Sequence, residues 1–170
     1  MNLKKYIREI PNWPKKGVGF KDITPLLENK KAFTHVVDEL ADYFLDKKID
    51  KVVGIDARGF LLAAPIAYKL NAGLSIVRKK GKLPHKTISQ KYALEYAENI
   101  IEMHKDTIKK GERIYIVDDV LATGGTMEAT CQIVEKLGGK IVGVGFLINL
   151  KFLGGEKKLK KYKIYSLVNY

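Results

Sequence analysis

A single cysteine, no long apolar run and a shortage of acid set the first limits on this chain of 170 residues. Cys131 has no partner with which to close an internal disulfide, so a disulfide-stapled secreted scaffold is excluded and a reducing compartment is expected. The longest apolar stretch, Gly59 to Ala67, falls far short of a bilayer span, and Met1 leads into Lys4, Lys5 and Arg8 rather than into an apolar targeting core. A soluble, cytoplasmic protein without a membrane partner is expected. Linkers and internal repeats are missing too, and 46% hydrophobic residues rule out a disordered chain, so residues 1–170 are expected to form one domain with a true core.

Acidic side chains number 19 against 31 lysines and arginines, a formal net charge of +12. Such a balance raises nucleic acid as a partner. The cations, however, come in pairs where elements end (Lys15 and Lys16, Lys30 and Lys31, Lys47 and Lys48, Lys109 and Lys110), as solvated charge does, and no zinc, homeodomain or RNA-recognition spacing accompanies them. No dedicated nucleic-acid role is expected. The excess charge can instead draw in small polyanions.

What the chain does have is Arg113 to Thr126, Arg-Ile-Tyr-Ile-Val-Asp-Asp-Val-Leu-Ala-Thr-Gly-Gly-Thr. Ile114 to Val117 reads as a short buried strand ending at the two acids. Leu121 to Thr126 then offers small residues, two glycines and two hydroxyls just before the helical spacing of Met127 to Leu137, so consecutive backbone N–H groups can converge on one anion at a helix start. A phosphate fits there, yet Asp118 and Asp119 would repel it unless they face a polyol or a divalent ion. A sugar phosphate satisfies both halves.

In chain order, Leu3 to Ile10 could form a short helix ended by Pro11 and Pro14, with Trp13 as its anchor. Two glycines and Phe20 mark the loop between Pro14 and Pro25, and Thr24-Pro25 looks like a helix cap followed by proline at the first helical position. Phe33 to Phe44 has the spacing of an amphipathic helix. Lys51 to Asp56 reads as a strand, Asp56 to Gly59 as a turn at its C-terminal end, and Phe60 to Leu70 as a helix apolar nearly all round and hence buried, with a local kink expected at Pro65. Leu74 to Val77 is a strand running into Arg78 to Lys86, where six basic residues among nine predict a loop, either a solvated tip or an anion clamp. Gln90 to Tyr96 alternates only loosely, and Ala97 to Ile108 reads as either a strand or a helix, with turn signals at Lys109 to Gly111. Ile141 to Leu150 suits a central strand, Phe152 to Lys163 a polar connection, and Ile164 to Val168 a closing edge strand. The alternation predicts an α/β class with a mainly parallel sheet.

The Arg113 to Thr126 stretch closely resembles the phosphoribosyl-pyrophosphate (PRPP) motif of type I phosphoribosyltransferases. The order Gly17 to Thr24, Ile55 to Phe60, Arg78 to Pro84, Tyr92 to Tyr96 and then this motif is similar to the adenine phosphoribosyltransferases over essentially the whole chain. The resemblance implies a single-domain, mainly parallel twisted sheet flanked by helices, with a small hood from residues 1–30 and a flexible lid loop. It also implies the reaction of adenine with PRPP to give AMP and pyrophosphate, with Mg²⁺ held mostly through substrate oxygens and water, not by a direct set of protein ligands, in a homodimer. Its site assignments are as follows: Ala122, Thr123, Gly124, Gly125 and Thr126 take the 5′-phosphate, and Asp118 and Asp119 the ribose. Ala57, Arg58, Gly59, Arg78, Lys79 and Lys82 take pyrophosphate. Val18, Gly19, Phe20, Arg58 and Val120 surround adenine. Tyr92, Glu95 and Tyr96 belong to the lid, with Glu95 as the acid/base carboxylate at N9. A cis peptide between Asp56 and Ala57 is a further expectation of the family.

Gly19 departs from the branched residue usual at its position, and Ala57 from a frequent serine. Two rivals differ in class. A 6-oxopurine enzyme on the same scaffold would present a lysine after the motif helix, where Phe146-Leu147-Ile148 is apolar here and only Lys151 lies near. A PRPP-sensing, nucleic-acid-binding regulator draws on the +12 charge alone.

Overall fold

The computed structural model describes residues 1–94 and 97–170. Near the N-terminus a 3₁₀ turn (Leu3–Tyr6) precedes strand β1 (Arg8–Pro11), which pairs antiparallel with β2 (Gly19–Asp22). The helix expected over Leu3 to Ile10 is therefore replaced by a turn and a strand. Pairing Ile10 with Phe20 and Pro11 with Gly19 overrides local spacing. Helix α1 (Thr24–Glu28) follows, and its cap is Ile23, not Thr24, whose N–H is held by Asp22 Oδ1 at 2.9 Å. Asn29 caps α2 (Lys30–Asp42) by accepting from Ala32 N.

The main sheet is built from β3 (Lys51–Ile55), β4 (Gly73–Lys79), β5 (Thr87–Leu94), β6 (Ala97–His104), β7 (Arg113–Leu121), β8 (Lys140–Asn149) and β9 (Ile164–Asn169), in the spatial order β5-β6-β4-β3-β7-β8-β9. From β4 to β9 the pairs are parallel, while β6 joins β4 and β5 antiparallel. The stretch whose type the periodicity leaves open thus holds two paired strands, β5 and β6. Two-residue alternation sorts the sheet's side chains onto two faces. Val52, Tyr115 and Val117 pack with α2 and α3 (Arg58–Lys69), whereas Val53, Ile114 and Ile116 pack with α4 (Gly125–Lys136).

Three expectations change in detail. β7 runs on through both acids to Leu121, because Asp118 pairs with Phe146 and Val120 with Ile148 of β8. β4 extends to Lys79, since Arg78 and Lys79 pair with Glu102 and Ile101 of β6, leaving a shorter basic loop from 80 to 86. Helix α3 is not buried all round: Leu61, Ala64 and Tyr68 share an exposed stripe, Tyr68 being 89% exposed. Among the described residues, no helix is long and apolar enough to cross a membrane.

The chain leaves β3 for β4 on one side and returns in β7 on the other, so the order reverses between β3 and β7. At such a switch the loops at the C-terminal strand ends diverge and leave a crevice. The turn Asp56 to Gly59, the end of β4 and the turn after β7 all meet there.

Candidate active site

Three hollows at this edge share their walls. The first, about 270 Å³, is lined by Asp56, Ala57 and Arg58 after β3, by Arg78 and Lys79 at the end of β4, and by Asp118, Asp119, Thr126 and Tyr92. The second, about 70 Å³, is the turn Ala122 to Thr126 itself, with Asp118, Val120 and Phe146 beside it. The third, about 480 Å³, places Val18, Gly19, Phe20 and Arg58 with Val120, Leu150, Phe152 and Leu153. Asp118 and Thr126 belong to the first two, Arg58 and Asp119 to the first and third, Val120 and Ala122 to the second and third. They form one site with three compartments: cationic, amide-rich and apolar.

The amide-rich compartment rests on close backbone packing. Gly124 adopts φ +79°, the left-handed region, and precedes α4, whose first N–H groups have no partner within the helix. A Cβ on Gly124 would meet the Gly155 carbonyl at 2.6 Å, and one on Gly155 would overlap the Ala122 carbonyl. The 3₁₀ turns at Lys151–Leu153 and Gly155–Leu159 therefore back the phosphate turn and supply Phe152 and Leu153 to the apolar compartment. These residues, with Leu150, escaped the sequence reading. Their one signal is an apolar pair standing in an otherwise polar, lysine-rich connection.

Arg58 joins the compartments. Its Nε lies 2.8 Å from Asp119 Oδ2, its Nη1 donates to the Lys21 carbonyl at 3.3 Å, and its guanidinium sits 4.8 Å from the Phe20 ring centre. Trp13 meets the same ring edge-on at 4.4 Å. The Arg58 N–H does not point along the line to Asp119 Oδ2, which leaves that buried oxygen without a hydrogen bond in the described structure. Burial, and then the negative charge of Asp119, push the Asp118 carboxyl well above the usual aspartate range. Burial raises Asp119 as well, against the opposing pull of Arg58. Two acids held this way seek hydrogen-bond donors or a cation.

At the cationic end, Arg78 Nε pairs with Asp56 Oδ2 at 3.1 Å, and its Nη1 donates to the Lys82 carbonyl at 3.4 Å. Lys82 itself is exposed on the loop and does not line the hollow. Gly59 lies behind the site, where its missing side chain lets α3 approach β7: a Cβ would come 2.8 Å from Asp118 Oδ1. The Asp56–Ala57 peptide is cis, as is Trp13–Pro14. Glu95 and Tyr96 lie outside the described residues.

A phosphoribosyl transferase domain model matches residues 22–169. The chain is 55% identical to the adenine phosphoribosyltransferase of Clostridium botulinum (strain Loch Maree / Type A3), over all of this chain and 99% of that protein. This chain belongs to the adenine phosphoribosyltransferase family. It is also 55% identical to the adenine phosphoribosyltransferase of Brachyspira hyodysenteriae over the full length of both. The crystal structure of adenine phosphoribosyltransferase from Thermoanaerobacter pseudethanolicus superposes with a TM-score of 0.96 at 49% identity, covering 99% of this chain and 98% of that one. An adenine phosphoribosyltransferase fold thus carries the three compartments described above.

Proposed function

We propose that this protein transfers the 5-phosphoribosyl group of PRPP to N9 of adenine, releasing pyrophosphate and forming AMP. The observation that carries this reading is the shared wall. Arg58 and Asp119 border both the apolar compartment and the cationic one, so a flat base and a diphosphate would meet across a ribose held between them. As the bond from C1′ to the pyrophosphate oxygen breaks, the bond from N9 to C1′ forms, and positive charge builds on the ribose. Catalysis of that step needs the two reactants in line and the leaving charge neutralised.

Each compartment has its part. The Ala122 to Thr126 amides and hydroxyls hold the 5′-phosphate, which stays attached throughout. Asp118 and Asp119 accept from the ribose hydroxyls, and their negative charge favours a positive ring. Phe20 and Val120 offer faces for adenine, with backbone groups of Val18 to Phe20 reading its amino edge. Arg58, Arg78 and Lys79 receive the departing pyrophosphate. Asp118 and Asp119 are oxygen donors of the type a hard divalent ion accepts, and among the described residues no third acidic, histidine or cysteine ligand joins them. Mg²⁺, on this reading, is held largely by substrate oxygens and water, and when bound it adds neutralising charge at the diphosphate. Glu95, on the segment after β5, is the proposed acceptor of the N9 proton.

The exposed stripe of Leu61, Ala64 and Tyr68 on α3 supports a homodimer, to be tested by light scattering across protein concentrations. A cytoplasmic location completes the proposal. The reaction is tested by offering adenine, hypoxanthine, guanine and xanthine together with PRPP and Mg²⁺ and separating the nucleotides. AMP alone is expected. IMP or GMP would overturn the base assignment, and no nucleotide at all would overturn the reaction.

A further inference from the structure

Glu102 is a carboxylate 5% exposed in β6, outside every compartment of the site. A buried acid needs donors, and among the described residues its donors all come from one segment. Its Oε1 accepts from Gly81 N at 2.9 Å and from Leu83 N at 3.3 Å, and its Oε2 accepts from Thr87 Oγ1 at 3.2 Å. It also stands opposite Arg78 in the antiparallel β4–β6 register. The basic loop after Lys79 is thus tied down at three points by one side chain. Between two of those points lies Lys82, whose carbonyl accepts from Arg78 Nη1.

We infer that Glu102 is a positioning residue for the diphosphate end of the site: by fixing the backbone of 81–87 it fixes the Lys82 carbonyl, and through it the direction of the Arg78 guanidinium. The inference rests on the phosphoribosyl-transfer reading above. Long cationic side chains hold a diphosphate well only if they are not free to wander, because each one ordered on binding subtracts from affinity. Asp56 on Nε and the Lys82 carbonyl on Nη1 leave the remaining guanidinium N–H groups of Arg78 for a ligand. A carboxylate suits the tether better than a neutral acceptor because charge-assisted bonds to backbone N–H are the stronger kind.

The experiment is calorimetric titration of Glu102→Ala, Glu102→Gln and the unaltered protein with magnesium pyrophosphate and, separately, with AMP. AMP engages the amide-rich and apolar compartments and does not reach the loop. In Glu102→Ala, pyrophosphate affinity should fall about tenfold while AMP affinity stays within about twofold. Glu102→Gln keeps an acceptor for Gly81 and Leu83, so it should recover most of the loss. Equal losses for both ligands, or none for pyrophosphate, would overturn the positioning role in favour of a purely structural one. Should Glu102→Ala fail to fold, Thr87→Val removes one tether alone. It should weaken pyrophosphate by about threefold and leave AMP unmoved, and an unchanged pyrophosphate affinity would overturn the inference. Unaltered protein that binds neither ligand would overturn the phosphoribosyl reading itself, and the inference with it.

Discussion

The two anion-holding ends of this site are made in opposite ways. At the amide-rich end a phosphate would meet backbone dipoles and hydroxyls from one contiguous turn, clamped from behind by Gly155. At the cationic end it would meet arginine and lysine side chains from two separate elements, the start of α3 and the end of β4, Arg58 and Arg78 being 35% and 33% exposed. The difference follows the chemistry. A phosphate that stays on the ribose can be held by rigid dipoles, whereas one that must leave is better served by charges that water can reach. Rigid dipoles demand exact backbone placement, and exposed charges demand only nearness.

The hardest test of that contrast is Gly155→Ala. Its Cβ would overlap the Ala122 carbonyl and come 2.9 Å from Gly124 N, so the phosphate turn must shift. Displacements of about 1 Å at a reacting site can cost about a hundredfold, and we expect a loss of that order in kcat/KM for PRPP. AMP binding should fall with it, while pyrophosphate binding should be spared. Steady-state kinetics together with calorimetry on the two ligands would check this, and pyrophosphate losses equal to those of AMP would erase the distinction between the ends.

The reverse test is Arg78→Gln. Removing one charged donor from an anion typically costs about 2 kcal/mol, or roughly thirtyfold in affinity. That loss should appear in pyrophosphate binding and in KM for PRPP, with AMP left within about twofold.

These two ends also differ in how much of them was legible in the sequence. The amide-rich turn could be read because its residues are neighbours: a strand, two acids, glycines and hydroxyls, then a helix, each step local. The cationic end could be read only in part. Arg58 and Arg78 stand out at strand ends, but Glu102 lies more than twenty positions from Arg78 and becomes its neighbour only through the antiparallel β4–β6 pairing. A pairing distant in sequence also hid Leu150, Phe152 and Leu153, which follow β8 and reach the apolar compartment because its C-terminal end lies beside that of β7. It also misdirected Leu3 to Ile10, whose strand exists only because β2 is there to pair with it.

Between the ends sit the two acids, and they test whether the middle of the site is strained for function. The fold raises Asp118 well above 3.8, so the native state favours its protonated form. The stability contributed by that form is complete below the ordinary aspartate range and is lost as pH rises through the raised value. At neutral pH this raised carboxyl is therefore a liability to the stability of the free protein. Asp118→Asn should raise its stability by about 1 kcal/mol near pH 7.5, with the gain shrinking toward pH 4, while activity falls. Thermal unfolding of both proteins across that range would check it. A gain that grows as pH falls would have the wrong sign.

The smallest effect concerns salt. Charges on exposed side chains are screened as the Debye length shortens, from about 14 Å near 50 mM to about 7 Å near 200 mM, whereas donors in a closed backbone turn act at contact distance and are screened far less. Over that range pyrophosphate affinity should fall about fivefold and AMP affinity about twofold, AMP responding only to the overall +12 charge. Arg78→Gln should flatten the pyrophosphate slope toward that of AMP, because it removes one of the screened partners. Parallel slopes for the two ligands in the unaltered protein would mean that both anions are held chiefly by the general field of the chain, and that the division between dipoles and side-chain charges has no energetic content.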